Sequence, residues 1–168
     1  MDLTAFYSLM AITCFTLVGL WWTVVERHPE SKSDVHSRKL AGGVYLSFLL
    51  PGLMSTFAQV DAGNPLVWRS SFTVAAVVGL ANTWPLLRLD RNGARGPFRR
   101  FRWLVLVIYG AIVVVALVPA VAQAVGATAL QSAAIALILL IVLAHGLAWE
   151  FMMEPDQPPT SGTTGEPQ

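Results

Sequence analysis

The chain has 168 residues, of which 55% are hydrophobic and only 12% are charged, and its formal net charge at pH 7 is +1. A soluble domain has about 25% charged residues, so this composition is typical of a membrane protein. The net charge gives no indication of a nucleic-acid partner. The single cysteine, Cys14, rules out a disulfide framework, and the Cys and His spacing matches no metal site. We therefore expect no metal and no cofactor.

Five apolar stretches follow one another along the chain. Each is close to the length of about 20 residues that a helix needs to cross the ~30 Å hydrocarbon core of a bilayer. Barrel strands need only about 10 residues of alternating character, so these unbroken stretches predict helices instead. We predict an all-α integral membrane bundle of five transmembrane helices, which cover residues 3–25, 43–60, 70–87, 103–124 and 129–149.

The stretches differ in how clearly they predict a span. The first is expected to stay in the protein, because no basic residue precedes it and Trp21 and Trp22 stand where a signal-peptide cleavage site needs small residues. The second is the least regular, since polar residues and Pro51 interrupt it. The fourth and fifth are separated by a short segment around Gly126, which predicts a tight hairpin.

The basic residues predict the orientation of the bundle. Ten of the eleven lie in the gaps 26–42 and 88–102, and the exception is Arg69. Short loops that are rich in Lys and Arg stay in the cytoplasm, so both gaps are predicted to be inside, with an even number of crossings between them. If 43–60 did not cross, its partner 70–87 would not cross either, and three spans would remain. We predict five spans, with the N-terminus outside and the C-terminus inside.

Tryptophan is enriched where helices meet the membrane surface, because its ring is apolar and its N–H needs a polar partner. The tryptophans lie near the ends of the predicted spans, which agrees with that orientation. Trp68 falls at a predicted outer end. Those at predicted inner ends are Trp21, Trp22, Trp84, Trp103 and Trp149.

The domain organisation follows from this pattern. Residues 1–154 form the predicted five-span transmembrane helical domain. Residues 155–168 are rich in Pro, Gly, Ser and Thr and are predicted to form a disordered cytoplasmic tail. Arginine outnumbers lysine nine to two, and Ala, Val and Gly are abundant, as in proteins from GC-rich bacterial genomes. The predicted location is therefore a bacterial cytoplasmic membrane.

Polar side chains near the predicted inner ends form a candidate site. His145 is the one ionisable residue predicted inside a span, where such residues are costly and often functional. Histidine changes charge near neutral pH, so a proton relay or a gate is one interpretation. The other interpretation of His145 is a neutral imidazole that is hydrogen-bonded to a neighbouring helix. The charged residues nearby can likewise be ordinary charges at the points where the helices leave the bilayer. The predicted inner polar cluster consists of Glu26, Asn82, Arg88, His145 and Glu150.

The gap 88–102 interleaves six arginines with aromatic residues. Basic residues at this position attract anionic lipid at the inner leaflet, at about 1 kcal/mol each. The alternative is an anchor that only sets topology. The predicted lipid contacts are Arg99, Arg100, Arg102 and Trp103.

The sequence contains none of the phosphate-binding, metalloprotease or dinucleotide motifs, and we predict no catalytic residue. The preferred interpretation is a non-catalytic scaffold or accessory subunit that works with lipid, with other membrane proteins or with copies of itself. The alternative is a small transporter or channel that uses the proline-kinked spans and His145. A dry interior with an exposed apolar groove favours the first. A water-filled crevice that reaches Ser55, Asn82 and His145 favours the second.

Overall fold

The computed structural model describes residues 2–27, 35–60, 64–89, 102–124 and 126–153. These residues are almost entirely helical and contain no strand, which confirms the all-α prediction. The predicted tail 155–168 lies outside the described residues. The helices are α1 (Leu3–Arg27), α2 (Val35–Val60), α3 (Pro65–Leu89), α4 (Arg102–Leu117), α5 (Ala120–Ala124) and α6 (Ala129–Met153).

Three of the described helices are long and apolar enough to cross a membrane: α1, the Ala41–Val60 part of α2 and the Ala129–Glu150 part of α6. Trp103–Leu117, within α4, is a shorter apolar helix. α3 is a continuous helix of 25 residues, and Arg69 interrupts its apolar sequence close to the start. The length and apolar composition of these helices are thus those of a helical bundle suited to lipid.

Four helices form a ring, and the fifth long helix lies beside it. α2 packs against α3 and α6, and α4 packs against the same two helices. α1 packs mainly along α2 and only weakly against α6. The central position of α2 explains why half of its apolar window is buried, compared with 17% in α1.

Long helices that follow one another along the chain run in opposite directions. Ser8 of α1 bonds to Gln59 of α2, and Trp21 bonds to Ala41, so these two helices are antiparallel. The starts of α1 and α6 meet where the Tyr7 hydroxyl donates to the Leu130 carbonyl at 2.7 Å. We call this the Tyr7 end of the bundle, and the opposite one the Trp149 end.

The core has two parts. Near the Trp149 end, Trp21 packs between α2 and α6, and its Nε1 donates to the Ala41 carbonyl at 3.1 Å. Small residues let the helices approach there, among them Ala144 and Ala148. The larger part extends from the Tyr7 end through the middle of the ring and includes Tyr7, Met54, Phe72, Tyr109, Ile112 and Leu137. Apolar side chains also cover the outside of the bundle: Leu9, Val107 and Ile135 are more than half exposed.

α2 is longer than the predicted span 43–60, and it continues to Val60 despite its polar residues. The hydroxyls of Ser47 and Thr56 donate to carbonyls four residues earlier, at 2.8 and 3.0 Å. The Gln59 amide donates to the Ser55 carbonyl at 3.0 Å. These side chains are satisfied by their own helix, so they do not interrupt it.

The predicted span 103–124 is divided. α4 ends at Leu117 and α5 begins at Ala120, and Pro119, which lies between them, has no N–H to donate to a carbonyl of the preceding turn. The hairpin that follows was correctly predicted. Gly126 has a φ of 73°, its N–H bonds to the Gln123 carbonyl, and the Ala127 N–H bonds to the Ala122 carbonyl. This is a Schellman motif, which favours glycine at the left-handed position.

Candidate functional site

The predicted inner polar cluster maps to the Trp149 end of the bundle. Glu26 is exposed near the end of α1, and Asn82 is half-buried on α3. His145 is exposed and Glu150 half-buried, both on α6. Arg88 belongs to α3, but its side chain lies outside the described part of the structure.

The described contacts do not bring this cluster together. Among the described residues, no hydrogen bond or ion pair joins Glu26, Asn82 and His145. α1 and α3 touch through Tyr7 and Phe72, whose ring centroids are 6.3 Å apart, at the opposite end of the bundle. A joint site of the five residues therefore remains a prediction.

His145 is held by its own helix. Its Nδ1 lies 2.8 Å from the Ile141 carbonyl, and since a carbonyl only accepts, Nδ1 carries the hydrogen. The ring meets Phe48 of α2 edge-on, with centroids 5.3 Å apart at 77°. The hydrogen bond to a neighbouring helix that the sequence suggested is thus replaced by one within α6.

Exposed tryptophans surround the Trp149 end. Trp22, Trp84, Trp103 and Trp149 come from four different helices, and each is more than half exposed. The side chains of Arg27, Arg38 and Lys39 are also exposed at this end. Two other residues that were predicted at the membrane surface face the core instead: Trp21 and Trp68 are buried, at 5% and 7% exposure.

Of the residues predicted to contact lipid, Trp103 is the one whose side chain the structure describes. Trp103 is exposed at the start of α4, where the apolar helix begins. Arg102 opens the same helix, but its side chain lies outside the described residues, as do Arg99 and Arg100 altogether. The structure thus places the aromatic member of the predicted set at the Trp149 end.

The interior of the described bundle is apolar. Met54, Phe72 and Leu137 have no solvent exposure, and Ile112 has 1%. Ser55 is the buried polar side chain among the described residues, where no ionisable side chain is buried apart from tyrosine and cysteine. The Ser55 hydroxyl has no hydrogen-bond partner there. The described residues also contain no group of three metal-ligating side chains.

A shallow, open groove runs between α1 and α2 in the half of the bundle nearer the Tyr7 end. Its polar side chains are already bonded within the protein. Ser8 Oγ donates to Gln59 Oε1, and the Thr16 and Thr56 hydroxyls donate to carbonyls of their own helices. What the groove offers to a partner is therefore mainly apolar surface. Its lining is Ser8, Ala11, Ile12, Phe15, Thr16, Thr56 and Gln59.

One contact between helices was not recognised from the sequence. Arg69 of α3 reaches across to the end of α4, where its Nε is 2.6 Å from the Ala116 carbonyl and its Nη2 is 2.7 Å from the Leu117 carbonyl. Two signals were available: Arg69 is the one basic residue outside the two clusters, and Pro119 predicts carbonyls without a helical donor. The sequence did not indicate that the start of α3 lies beside the end of α4.

Comparison of the chain with protein-family models, with curated proteins and with solved structures finds no match.

Proposed function

We propose that the chain is a five-span protein of a bacterial cytoplasmic membrane, with its N-terminus outside and its C-terminus inside. α1, α2 and α6 have the length and composition for this, α3 has 25 residues, and α4 continues through the Pro119 break into α5. The alternating directions of the helices suit five crossings.

The orientation is supported by the Trp149 end. A ring of exposed tryptophans is suited to the interface between lipid and water. Exposed basic side chains lie at the same end, including Arg27, Arg38 and Lys39. By the positive-inside rule this end faces the cytoplasm. Anionic lipid of the inner leaflet is the proposed partner of Arg99, Arg100, Arg102 and Trp103.

Within that membrane we propose a non-catalytic role as a scaffold or accessory subunit. The observation that carries this proposal is the apolar interior of the described bundle, where apolar side chains fill the ring and no charged side chain is buried. A solute pathway needs polar groups near the middle of the membrane. His145 does not supply one, because its side chain is exposed on α6 rather than enclosed by the ring.

The alternative, a small transporter or channel, is favoured by one feature of α2. Pro51 is fully buried inside this central helix, and the Ser55 hydroxyl without a partner lies one turn further on. Broken or kinked helices with unsatisfied polar groups form the substrate sites of many transporters. If this bundle transports a solute, Pro51 and Ser55 would have to line the path of that solute.

Reconstitution separates the two functions. The purified protein is placed in vesicles that contain a pH-sensitive or an ion-sensitive dye, and the flux of protons and of small ions is compared with that of empty vesicles. The accessory function predicts no added flux. Flux that is lost in Ser55→Ala, with the protein still folded, would overturn it in favour of transport.

The accessory function also predicts a protein neighbour at the apolar groove. A photoreactive residue at Ile12, in the groove, should form an adduct of one discrete mass in intact cells. The matched position is Ile135, which is equally apolar and 60% exposed on α6. Equal labelling patterns at the two positions would mean that the groove has no preferred partner.

A further inference from the structure

The break at Pro119 leaves the end of α4 with carbonyls that the helix does not use. The Val118 N–H closes the last turn on the Val114 carbonyl at 2.7 Å. The Val121 N–H bonds to the Val118 carbonyl at 3.1 Å instead of reaching back to Leu117. The carbonyls of Ala116 and Leu117 therefore have no donor from their own segment, and such groups are costly in a membrane.

Arg69 supplies both missing donors. Its Nε bonds to Ala116 and its Nη2 bonds to Leu117, at 2.6 and 2.7 Å. The planar guanidinium is suited to two acceptors at once. Its positive charge also lies at the C-terminal end of α4, where the helix dipole is negative. A lysine at this position has a single ammonium and lacks the fork.

Beyond the break, α5 packs mainly against the end of α4 and the start of α6. α5 has five residues, and its bonds to the following turn are internal to the hairpin, as in the contact of Ala127 with Ala122. Ala122 is nevertheless buried, at 2% exposure. The position of this hairpin therefore depends on how α4 ends.

We propose that Arg69 is a clamp that keeps the chain packed on the bundle at the Pro119 break. It ties the end of α4 to the first turns of α3 and so keeps α5 and the Gly126 turn packed on the bundle. Without the clamp, residues 118–127 open as a unit while the Trp149 end stays folded. This inference is independent of whether the protein is an accessory subunit or a transporter.

Thiol labelling measures the opening directly. The native Cys14 has no solvent exposure, so it contributes little background. In an Ala122→Cys variant of the full chain in detergent, Arg69→Leu should raise the labelling rate about tenfold or more, because two charge-assisted hydrogen bonds are lost. Arg69→Lys should raise it less. An unchanged rate in Arg69→Leu would overturn the proposal.

A second cysteine tests whether the opening is local. Ala148→Cys lies in the core at the Trp149 end, at 9% exposure. Its labelling should not change in Arg69→Leu. If both cysteines became reactive together, Arg69 would support the whole fold, and the idea of a clamped hairpin would be wrong. Hydrogen exchange of the 118–127 peptide gives the same information without a cysteine at Ala122.

A double-mutant cycle tests the reason for the clamp. Pro119→Ala restores an N–H and lets α4 continue, so that residues 120 and 121 can donate to Ala116 and Leu117. In that background Arg69→Leu should change exchange of the 118–127 peptide by less than about twofold, because additivity fails for coupled residues. An equal effect in both backgrounds would show that Arg69 does not act through the proline break.

Discussion

Replacing Gly79 with alanine should destabilise the bundle, although alanine is the better helix former. A Cβ on Gly79 would lie 2.5 Å from Cζ of Tyr109 and 2.6 and 2.7 Å from the two Cε atoms. Carbon atoms pack at about 3.5–4.0 Å, so the overlap is about 1 Å with three atoms of one ring. Tyr109 is 2% exposed and packs in the core, which leaves its ring little room to move.

The magnitude follows from two opposing terms. Overpacking a tight core costs about 1–3 kcal/mol, and this overlap belongs at the upper limit. Removing a glycine from a helix interior contributes about 1 kcal/mol in the other direction. The expected net loss in the free energy of unfolding is therefore about 2 kcal/mol.

Gly110 provides the matched control. It follows Tyr109 in α4, and a Cβ there would meet nothing within 4 Å. Gly110→Ala should leave the bundle unchanged or stabilise it by up to about 1 kcal/mol. The assay is unfolding in mixed micelles with a rising fraction of a denaturing detergent, followed by helical circular dichroism. If Gly79→Ala unfolded at the same detergent fraction as Gly110→Ala, the close packing of α3 on α4 at Tyr109 would be refuted.

Three further variants test other parts of the protein. His145→Gln should leave fold and partner association unchanged, because a glutamine amide can replace the bond to the Ile141 carbonyl; a pH-dependent flux that this change abolishes would contradict the accessory function. Reversal of Arg99, Arg100 and Arg102 to glutamate should weaken binding to anionic vesicles by about 1 kcal/mol per charge lost, measured against neutral vesicles; equal binding to both would show that the loop makes no lipid contact. Tyr7→Phe should lower stability by about 1 kcal/mol through loss of the bond to Leu130, and a neutral result in the detergent titration would mean that this bond contributes nothing.

Hydropathy predicted the helices well because it measures the property that lipid selects. It located the ends less well. α2 begins at Val35, eight residues before the predicted span 43–60, since the turns before Gly43 carry basic residues that a hydropathy window excludes. A hydropathy window also could not predict the break at Pro119, for another reason. Whether a proline kinks or ends a membrane helix depends on which donors bond to the carbonyls that lose their helical partner. Here the donor is Arg69, which lies on another helix.

Side-chain positions show the same limit. Trp21 and Trp22 are adjacent and were both predicted at the membrane surface, yet Trp21 is 5% exposed and Trp22 is 61% exposed. Neighbouring residues on a helix point about 100° apart, so only one of the two can face the core, and which one depends on where α1 meets α2. The bond partner of His145 was equally undetermined, because both its own helix and α2 lie within reach.

The central claim is a five-span bundle with the Trp149 end in the cytoplasm, and cysteine labelling in intact cells tests it most directly. Gly63→Cys and Ala124→Cys should react with a membrane-impermeant thiol reagent from outside, whereas Ser37→Cys should react only after the membrane is opened. Ala124 is the better choice at the second hairpin because Gly126 has a positive φ that a cysteine would strain. Protection of Gly63→Cys and Ala124→Cys together with labelling of Ser37→Cys would reverse the orientation, and protection of Gly63→Cys alone would reduce the bundle to three spans.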